Sequence, residues 1–139
     1  MLTPSLALAQ KPDYPTRPIR LIVGFAPGGS TDLVGRLVAG KLSERLGQQV
    51  VVDNRPGVSG IIAAELVSKS QPDGHTLLVA GQAILAINKA LYASLPYDPE
   101  KDFTYIIGIS GFSFGLAVRT DSGWKSLDDL IAYAKANPG

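Results

Sequence analysis

Residues 18–46 read PIRLIVGFAPGGSTDLVGRLVAGKLSERL. The stretch begins with the apolar run Ile19–Phe25, breaks into the glycine-containing loop Ala26–Asp32 and continues in a helical pattern. This order predicts a buried strand, a tight loop and the N-terminus of a helix. Such a junction gathers free backbone N–H groups and the positive end of a helix dipole at one place, where a phosphate or carboxylate is stabilised. The stretch therefore predicts an anion-binding loop.

The alternation of strand and helix continues along the chain. Val50–Val52 predicts a short buried strand, Ile61–Ser68 a helix and Thr76–Ala80 a third buried strand. This β-α-β-α-β order predicts an α/β fold with a parallel sheet and right-handed crossovers. The apolar positions of the first helix recur at steps of three and four, which predicts that they form its inner face: Leu33, Val34, Leu37, Val38, Leu42 and Leu46.

Three loops follow the three predicted strands, at Ala26–Thr31, Asn54–Gly60 and Gly81–Ala83. In open parallel sheets, ligands bind beyond the carboxyl ends of the strands. We therefore expect the three loops to share one edge of the sheet and to form the site there.

The last third of the chain carries weaker signals. Tyr105–Ile109 and Phe114–Val118 are candidate strands, because both are short apolar runs. Ser126 is expected to start a final helix with Asp129 completing a capping box. The residues expected on the inner face of that helix are Leu127, Leu130, Ile131 and Ala134.

Composition excludes several classes of protein. Of the 139 residues, 45% are hydrophobic and 18% charged, which is typical of a globular chain with a packed core. The net charge is +1 and no run of Lys and Arg occurs, so no nucleic-acid partner is expected. The sequence has no cysteine, which removes disulfides and cysteine nucleophiles.

The main enzymatic alternative is a phosphate loop, because Gly24-x-x-x-x-Gly29-Ser30-Thr31 nearly matches the nucleotide-binding pattern. The lysine that the pattern requires is replaced by Ser30, which argues against a nucleotide-hydrolysing enzyme. His75, the only histidine, is expected in a surface turn, and the acidic pair Asp128–Asp129 suits the start of a helix. We therefore expect no catalytic residues, no metal site, no cofactor and no enzyme activity.

The first residues resemble part of an export signal. Leu2–Leu8 is apolar, and Ala7-Leu8-Ala9 has the small-x-small form that signal peptidase favours, although no basic residue precedes it. We interpret residues 1–9 as a residual, clipped signal-peptide-like segment; a disordered N-terminus is the alternative. No apolar run approaches the length of a membrane span, so direct membrane insertion is not expected.

Several ordered blocks resemble the extracytoplasmic solute receptors of tripartite tricarboxylate transporters, also called Bug receptors. The blocks extend from Tyr14 to Gly139: YPTRPIRLIV (14–23), FAPGGSTD (25–32), NRPG (54–57), PDGHTLL (72–78), LPYDP (95–99), KDF (101–103) and AKANPG (134–139). The resemblance implies a periplasmic-binding-protein-like lobe with a mostly parallel sheet and flanking helices, truncated at the start of a second lobe. It implies that residues 10–117 form most of lobe one and that residues 118–139 cross into lobe two.

The resemblance also implies a function: capture of a small carboxylate or amino acid in the periplasm and its delivery to the membrane permease subunits of the transporter. A metabolite sensor derived from the same family is the alternative. The implied ligand-binding residues are Phe25, Ala26, Pro27, Gly28, Gly29, Ser30, Thr31, Asp32, Gly81, Gln82 and Ala83. Two roles stay open: Asp32 either caps the helix or receives a ligand amine, and Phe25 either covers the ligand or packs at the end of its strand.

Overall fold

The computed structural model describes residues 14–111 and 115–138. The chain divides into two compact units between Ile109 and Ser110. The predicted segment 1–9 and Phe114 lie outside the described residues. The lobe boundary predicted near Val118 stays a prediction, because the two compact units are defined by contacts within this chain and not by the lobes of a longer protein.

The first unit is built on a three-stranded parallel sheet, as the sequence predicts. The strands are β1 (Ile19–Val23), β2 (Val50–Asn54) and β3 (Thr76–Val79). Their order is β2-β1-β3, with Val23 opposite Asn54 on one side and Val79 on the other. Four of the five residues of β1 are buried, on both faces of the strand, because helices cover the sheet, and only Arg20 is exposed.

The described residues form four α-helices, three of them in the first unit. They are α1 (Ser30–Leu46), α2 (Ile61–Ser68), α3 (Asn88–Leu91) and, in the second unit, α4 (Leu127–Ala136). A 3₁₀ turn, Val58–Gly60, leads into α2, and a π-helical turn, Ala83–Ile87, leads into α3. Within the described residues, no helix combines the length and apolar character needed to cross a bilayer.

Two apolar clusters form the core of the first unit. One contains Ile19, Leu21, Val23, Ala39, Val50 and Val79, with Phe25 packed against it. The other contains Ile61, Ala64, Ile84 and Tyr97. Helix α1 contributes to the first cluster, and α2 together with the π-helical turn contributes to the second.

The predicted inner face of α1 is wrong in part. Leu33 and Leu37 are 58% and 68% exposed, whereas Gly35 and Ala39 are buried. An added Cβ on Gly35 would lie 3.1 Å from Val23 Cγ2, so the helix lies very close to the sheet at this residue. The close approach selects small residues for the contact and turns the two leucines outward.

Tyr105–Ile109 is not a strand, contrary to the prediction. Residues 103–111 have no regular structure, and Ile106 and Ile107 are 75% and 79% exposed. A strand needs the backbone of a neighbouring strand, and no described residue supplies one here. Residues 115–118 of the other candidate strand are also irregular.

Helix α4 begins as predicted but does not bury its apolar face. Ser126 Oγ accepts a hydrogen bond from the Asp129 amide, and the Asp129 carboxylate accepts one from the Ser126 amide, which completes the capping box. Leu127 and Ile131 are exposed, because the described part of the second unit supplies no layer to cover them.

His75 is buried rather than on the surface of its turn. The residue is 6% exposed, and its ring packs edge-on against Tyr14, with the ring centroids 5.1 Å apart. Its carbonyl oxygen accepts a hydrogen bond from the Arg20 amide at 2.8 Å, which holds the residue beside β1. The turn is therefore covered by Tyr14, which precedes β1 and also donates a hydrogen bond to the Gly74 carbonyl at 2.7 Å.

Candidate functional site

The loops that follow the three strands lie at one edge of the sheet. The register places Val23, Asn54 and Val79 side by side at the carboxyl ends of their strands. The chain after β1 passes close to the second loop, because an added Cβ on Gly24 would lie 3.1 Å from Gly60 Cα. The predicted shared edge is therefore present.

The first loop opens toward solvent next to the start of α1. Gly28 has a φ of +87°, which favours glycine, and an added Cβ there would meet no atom within 4 Å. Gly29 is the N-cap residue of α1 and has no side chain to cap the helix. The first intrahelical bond joins the Leu33 amide to the Gly29 carbonyl, so the amides of residues 30–32 are the ones that an anion could use.

Asp32 is buried beneath this loop, with only 2% of its surface exposed. Its Oδ2 accepts hydrogen bonds from the Gly28 amide and from Arg36 Nε, both at 2.9 Å. Its Oδ1 accepts one from Asn54 Nδ2 at 2.8 Å. The bonds from Arg36, Gly28 and Asn54 lower the pKa of Asp32 from 3.8 to about 2.

These contacts bear on the two roles left open for Asp32. The residue is not the N-cap, which is Gly29, but it holds the loop just before the helix through the Gly28 amide. Both carboxylate oxygens already have donors, and the side chain is enclosed. A ligand amine would have to enter a space in which only 2% of the Asp32 surface is exposed. The geometry therefore favours a role in holding the loop.

The third loop begins a second helical N-terminus at the same edge. The Gly81 carbonyl accepts hydrogen bonds from the Ile84 and Leu85 amides at 3.1 and 3.2 Å. The Gln82 side chain is exposed, and Ala83 opens the π-helical turn. Gly81, Gln82 and Ala83 therefore lie where the sequence places them, after β3. Phe25, also predicted for the site, is partly buried against the first core cluster.

Two asparagines link the loops: the sequence places Asn54 in the second loop of the site without assigning it a role, and it does not single out Asn88. Asn54 Nδ2 donates to the Phe25 carbonyl at 3.0 Å, in addition to its bond to Asp32. Asn88 is wholly buried and donates from Nδ2 to the Ser59 carbonyl at 3.2 Å. The position of Asn54 at the end of a predicted strand was a usable signal. Asn88 gave none, because an asparagine in a helical stretch is ordinary.

The second loop has an unusual backbone. Four consecutive residues, 57–60, have positive φ values of 140°, 44°, 54° and 84°. Two of them, Val58 and Ser59, are not glycine, and such conformations persist only where the surroundings hold them. The bond from Asn88 to the Ser59 carbonyl is one such restraint.

Among the described residues, no group of three or more acidic or histidine side chains could hold a metal ion.

Comparisons with known proteins agree on one family. The profile described as tripartite tricarboxylate transporter family receptor matches residues 34–139. A Cupriavidus necator protein named "UPF0065 protein in gbd 5'region" is 45% identical over 134 residues, covering 96% of this chain and 40% of that protein. The chain therefore spans about two fifths of the length of this curated relative.

Two solved structures of related proteins contain carboxylates. An R. palustris protein with adipate is 44% identical, with a TM-score of 0.82 over 91% of this chain and 42% of that chain. MatC from Rhodopseudomonas palustris with bound malate is 41% identical, with a TM-score of 0.63 over 66% of this chain and 31% of that chain. Both solved structures therefore share the fold of this chain over the residues that align.

Proposed function

The chain belongs to the tripartite tricarboxylate transporter receptor family, and from this membership we propose that it forms the first ligand-binding part of a receptor for a small carboxylate. The ligand would bind at the edge formed by residues 25–32 and 81–83. The receptor would act in the periplasm and pass its ligand to the membrane permease subunits of a transporter. No chemical step is involved.

The open start of α1 carries this proposal. Its first amides face an open loop with two glycines and no side-chain cap, and the start of the π-helical turn lies at the same edge. Backbone N–H groups and helix N-termini stabilise carboxylates without a nearby cation. The relatives crystallised with adipate and malate support the same ligand class.

Calorimetric titration with adipate, malate, aspartate and ATP tests the proposal. We would use both the 139-residue chain and the longest protein that its reading frame encodes. We expect a carboxylate to bind the longer protein, and to bind the shorter chain more weakly because fewer contacts are available. Binding of ATP alone would contradict the receptor function and revive the phosphate-loop alternative.

The variant Gly29→Val tests whether the first loop is the site. An added Cβ on Gly29 has only the Ala26 carbonyl oxygen nearby, at 3.6 Å, so the variant is expected to fold. The larger side chain would stand over the approach to the α1 amides and weaken carboxylate binding at least about tenfold, the effect of one or two lost hydrogen bonds. Gly40→Val is the matched control, because Gly40 is exposed on α1 with open space around it. Equal binding by both variants would place the site elsewhere.

A further inference from the structure

Asn54 is the point at which β2 meets the first loop and α1. Its side-chain Nδ2 donates to the Phe25 carbonyl at 3.0 Å and to Asp32 Oδ1 at 2.8 Å. Its Oδ1 accepts a hydrogen bond from Arg36 Nη2 at 3.2 Å. One amide therefore contacts the backbone of the loop and two side chains of the helix that the loop precedes.

The orientation of this amide follows from its neighbours. On the Nδ2 side lie a carbonyl and a carboxylate, which can only accept, and on the Oδ1 side lies a guanidinium, which can only donate. The reverse orientation would place the amide oxygen against two acceptors. The three bonds therefore act together and fix the Asn54 side chain in one arrangement.

Asp32 extends this arrangement to the open part of the loop. The carboxylate that accepts from Asn54 also accepts from the Gly28 amide at 2.9 Å. Asn54 thus restrains the loop twice: directly at Phe25, before the two glycines, and through Asp32 at Gly28. Gly28 has no side chain to pack against its surroundings, so the bond from its amide to Asp32 is the side-chain contact that restrains it.

We propose that Asn54 is a positioning residue for the ligand-binding loop: through Phe25 and Asp32 it holds Gly28 and the start of α1 in the conformation that receives the carboxylate. Asn54 acts through these residues and does not itself contact the ligand. The inference rests on the proposed function, because the loop is the one assigned there to the ligand.

The charged groups around Asn54 determine what a substitution would do. Asp32 and Arg36 face it from α1. Its neighbour Asp53 is paired with Arg20 of β1 at 2.8 Å and with Arg55 at 2.9 Å, so these two cations are already engaged. A carboxylate at position 54 would stand at hydrogen-bond distance from the Asp32 carboxylate, with Arg36 as the shared cation.

Two variants in the longest protein of the reading frame test the proposal. At neutral pH, Asn54→Asp replaces the amide N–H groups by an ionised carboxylate, which can only accept. At lower pH, a proton shared between the carboxyl groups of residues 54 and 32 restores a donor between them. Asn54→Leu removes the polar atoms at every pH. Gln49→Glu is the matched control, because it makes the same amide-to-acid change at an exposed residue just before β2.

The primary measurement is hydrogen exchange of the Gly28 amide by NMR, expressed as the ratio to wild type at the same pH. We expect Asn54→Asp to exchange about tenfold faster at pH 7.5, the effect of one lost hydrogen bond, and to return toward wild type at pH 5. In Asn54→Leu the Gly28 amide should exchange faster than in wild type at both pH values. In Gln49→Glu it should exchange at the wild-type rate at both. Amides of β3 should keep the wild-type rate throughout.

Binding of adipate, measured by calorimetry, should follow the same pattern, with about tenfold weaker affinity for Asn54→Asp at pH 7.5 than at pH 5 after normalisation to wild type. Wild-type exchange at Gly28 in Asn54→Leu, or a pH-independent effect in Asn54→Asp, would overturn the proposal. Failure of both variants to fold would also overturn it in favour of a purely structural role. Absence of carboxylate binding by the wild type would contradict the proposed function alone, because the exchange measurement needs no ligand.

Discussion

Asp32 is an acidic side chain in a site proposed to receive an anion, and its contacts explain how it can lie there. Arg36, the Gly28 amide and Asn54 supply donors to the carboxylate. A buried charge is tolerated when it is paired and hydrogen-bonded in this way. The negative charge is thus neutralised beneath the loop rather than presented to the ligand.

The variant Asp32→Asn tests this account by its dependence on pH. The pKa of Asp32 is lowered to about 2 in the folded chain, below its ordinary value of 3.8, so the ionised carboxylate stabilises the fold above about pH 4. That contribution is lost as the pH falls from about 4 to about 2. We therefore expect the variant to be less stable than wild type at pH 6, and the difference to shrink below pH 4.

Urea unfolding at pH 6, 4 and 2.5 measures this difference. Glu44→Gln is the control, because Glu44 pairs with Lys41 on the surface, where both side chains are mostly exposed and the pair contributes little. A stability difference for Asp32→Asn that stayed constant from pH 6 to 2.5 would show that the carboxylate charge has no part in holding the loop.

The contact between α1 and the sheet depends on the absence of a side chain at Gly35. An added Cβ would lie 3.1 Å from Val23 Cγ2 and 3.7 Å from Val79 Cγ2, in the middle of the first core cluster. We expect Gly35→Val to destabilise the chain by about 1–3 kcal/mol, because overpacking forces the helix away from the sheet. Thermal and urea unfolding would measure the loss.

Gly40→Val separates this packing effect from helix propensity. Gly40 lies on the same helix with nothing near an added Cβ, and valine is a better helix former than glycine. We expect this control to be neutral or slightly stabilising. Equal stability for the two variants would mean that α1 does not approach the sheet as closely as the structure shows.

The helix α1 also shows what the sequence could and could not predict. Its start at the glycine loop is predicted from local signals and is present in the structure, and it ends at Gly47, whose left-handed conformation is typical of a helix C-terminus. Its buried face does not follow, because hydrophobicity alone favours Leu33 and Leu37 over Gly35. Gly35 is buried instead because the helix lies very close to the sheet. That distance depends on how the three strands pack, so it cannot be predicted from the sequence of the helix alone.

The same limit applies to the site. The three strand-end loops could be placed on one edge from the order of elements, because parallel strands present their carboxyl ends together. The hydrogen bonds that join Asn54 and Asp32 under the first loop could not be predicted from the sequence. These residues are 22 positions apart and meet only because β2 pairs with β1. Polar partners that are distant in sequence need the fold before they can be identified.

At the scale of the whole chain, several large apolar side chains are exposed rather than packed in either core cluster. Ile106 and Ile107 are more than 70% exposed in a segment without regular structure, and Leu37 and Leu116 are exposed to a similar degree. Exposed apolar side chains in a row promote association between chains. Relatives of this chain are more than twice its length, and we expect their additional residues to cover such surfaces.

The double variant Ile106→Lys, Ile107→Lys tests this expectation on the 139-residue chain. Because these side chains bury little apolar surface, their replacement should leave thermal stability nearly unchanged. It should lower self-association in sedimentation velocity and reduce fluorescence of the dye ANS. The same variant in the longest protein of the reading frame should be destabilised, since there the two isoleucines would lose a buried environment. Equal tolerance of the two lysines in both proteins would show that this segment stays exposed in the longer protein, and that the additional residues pack elsewhere.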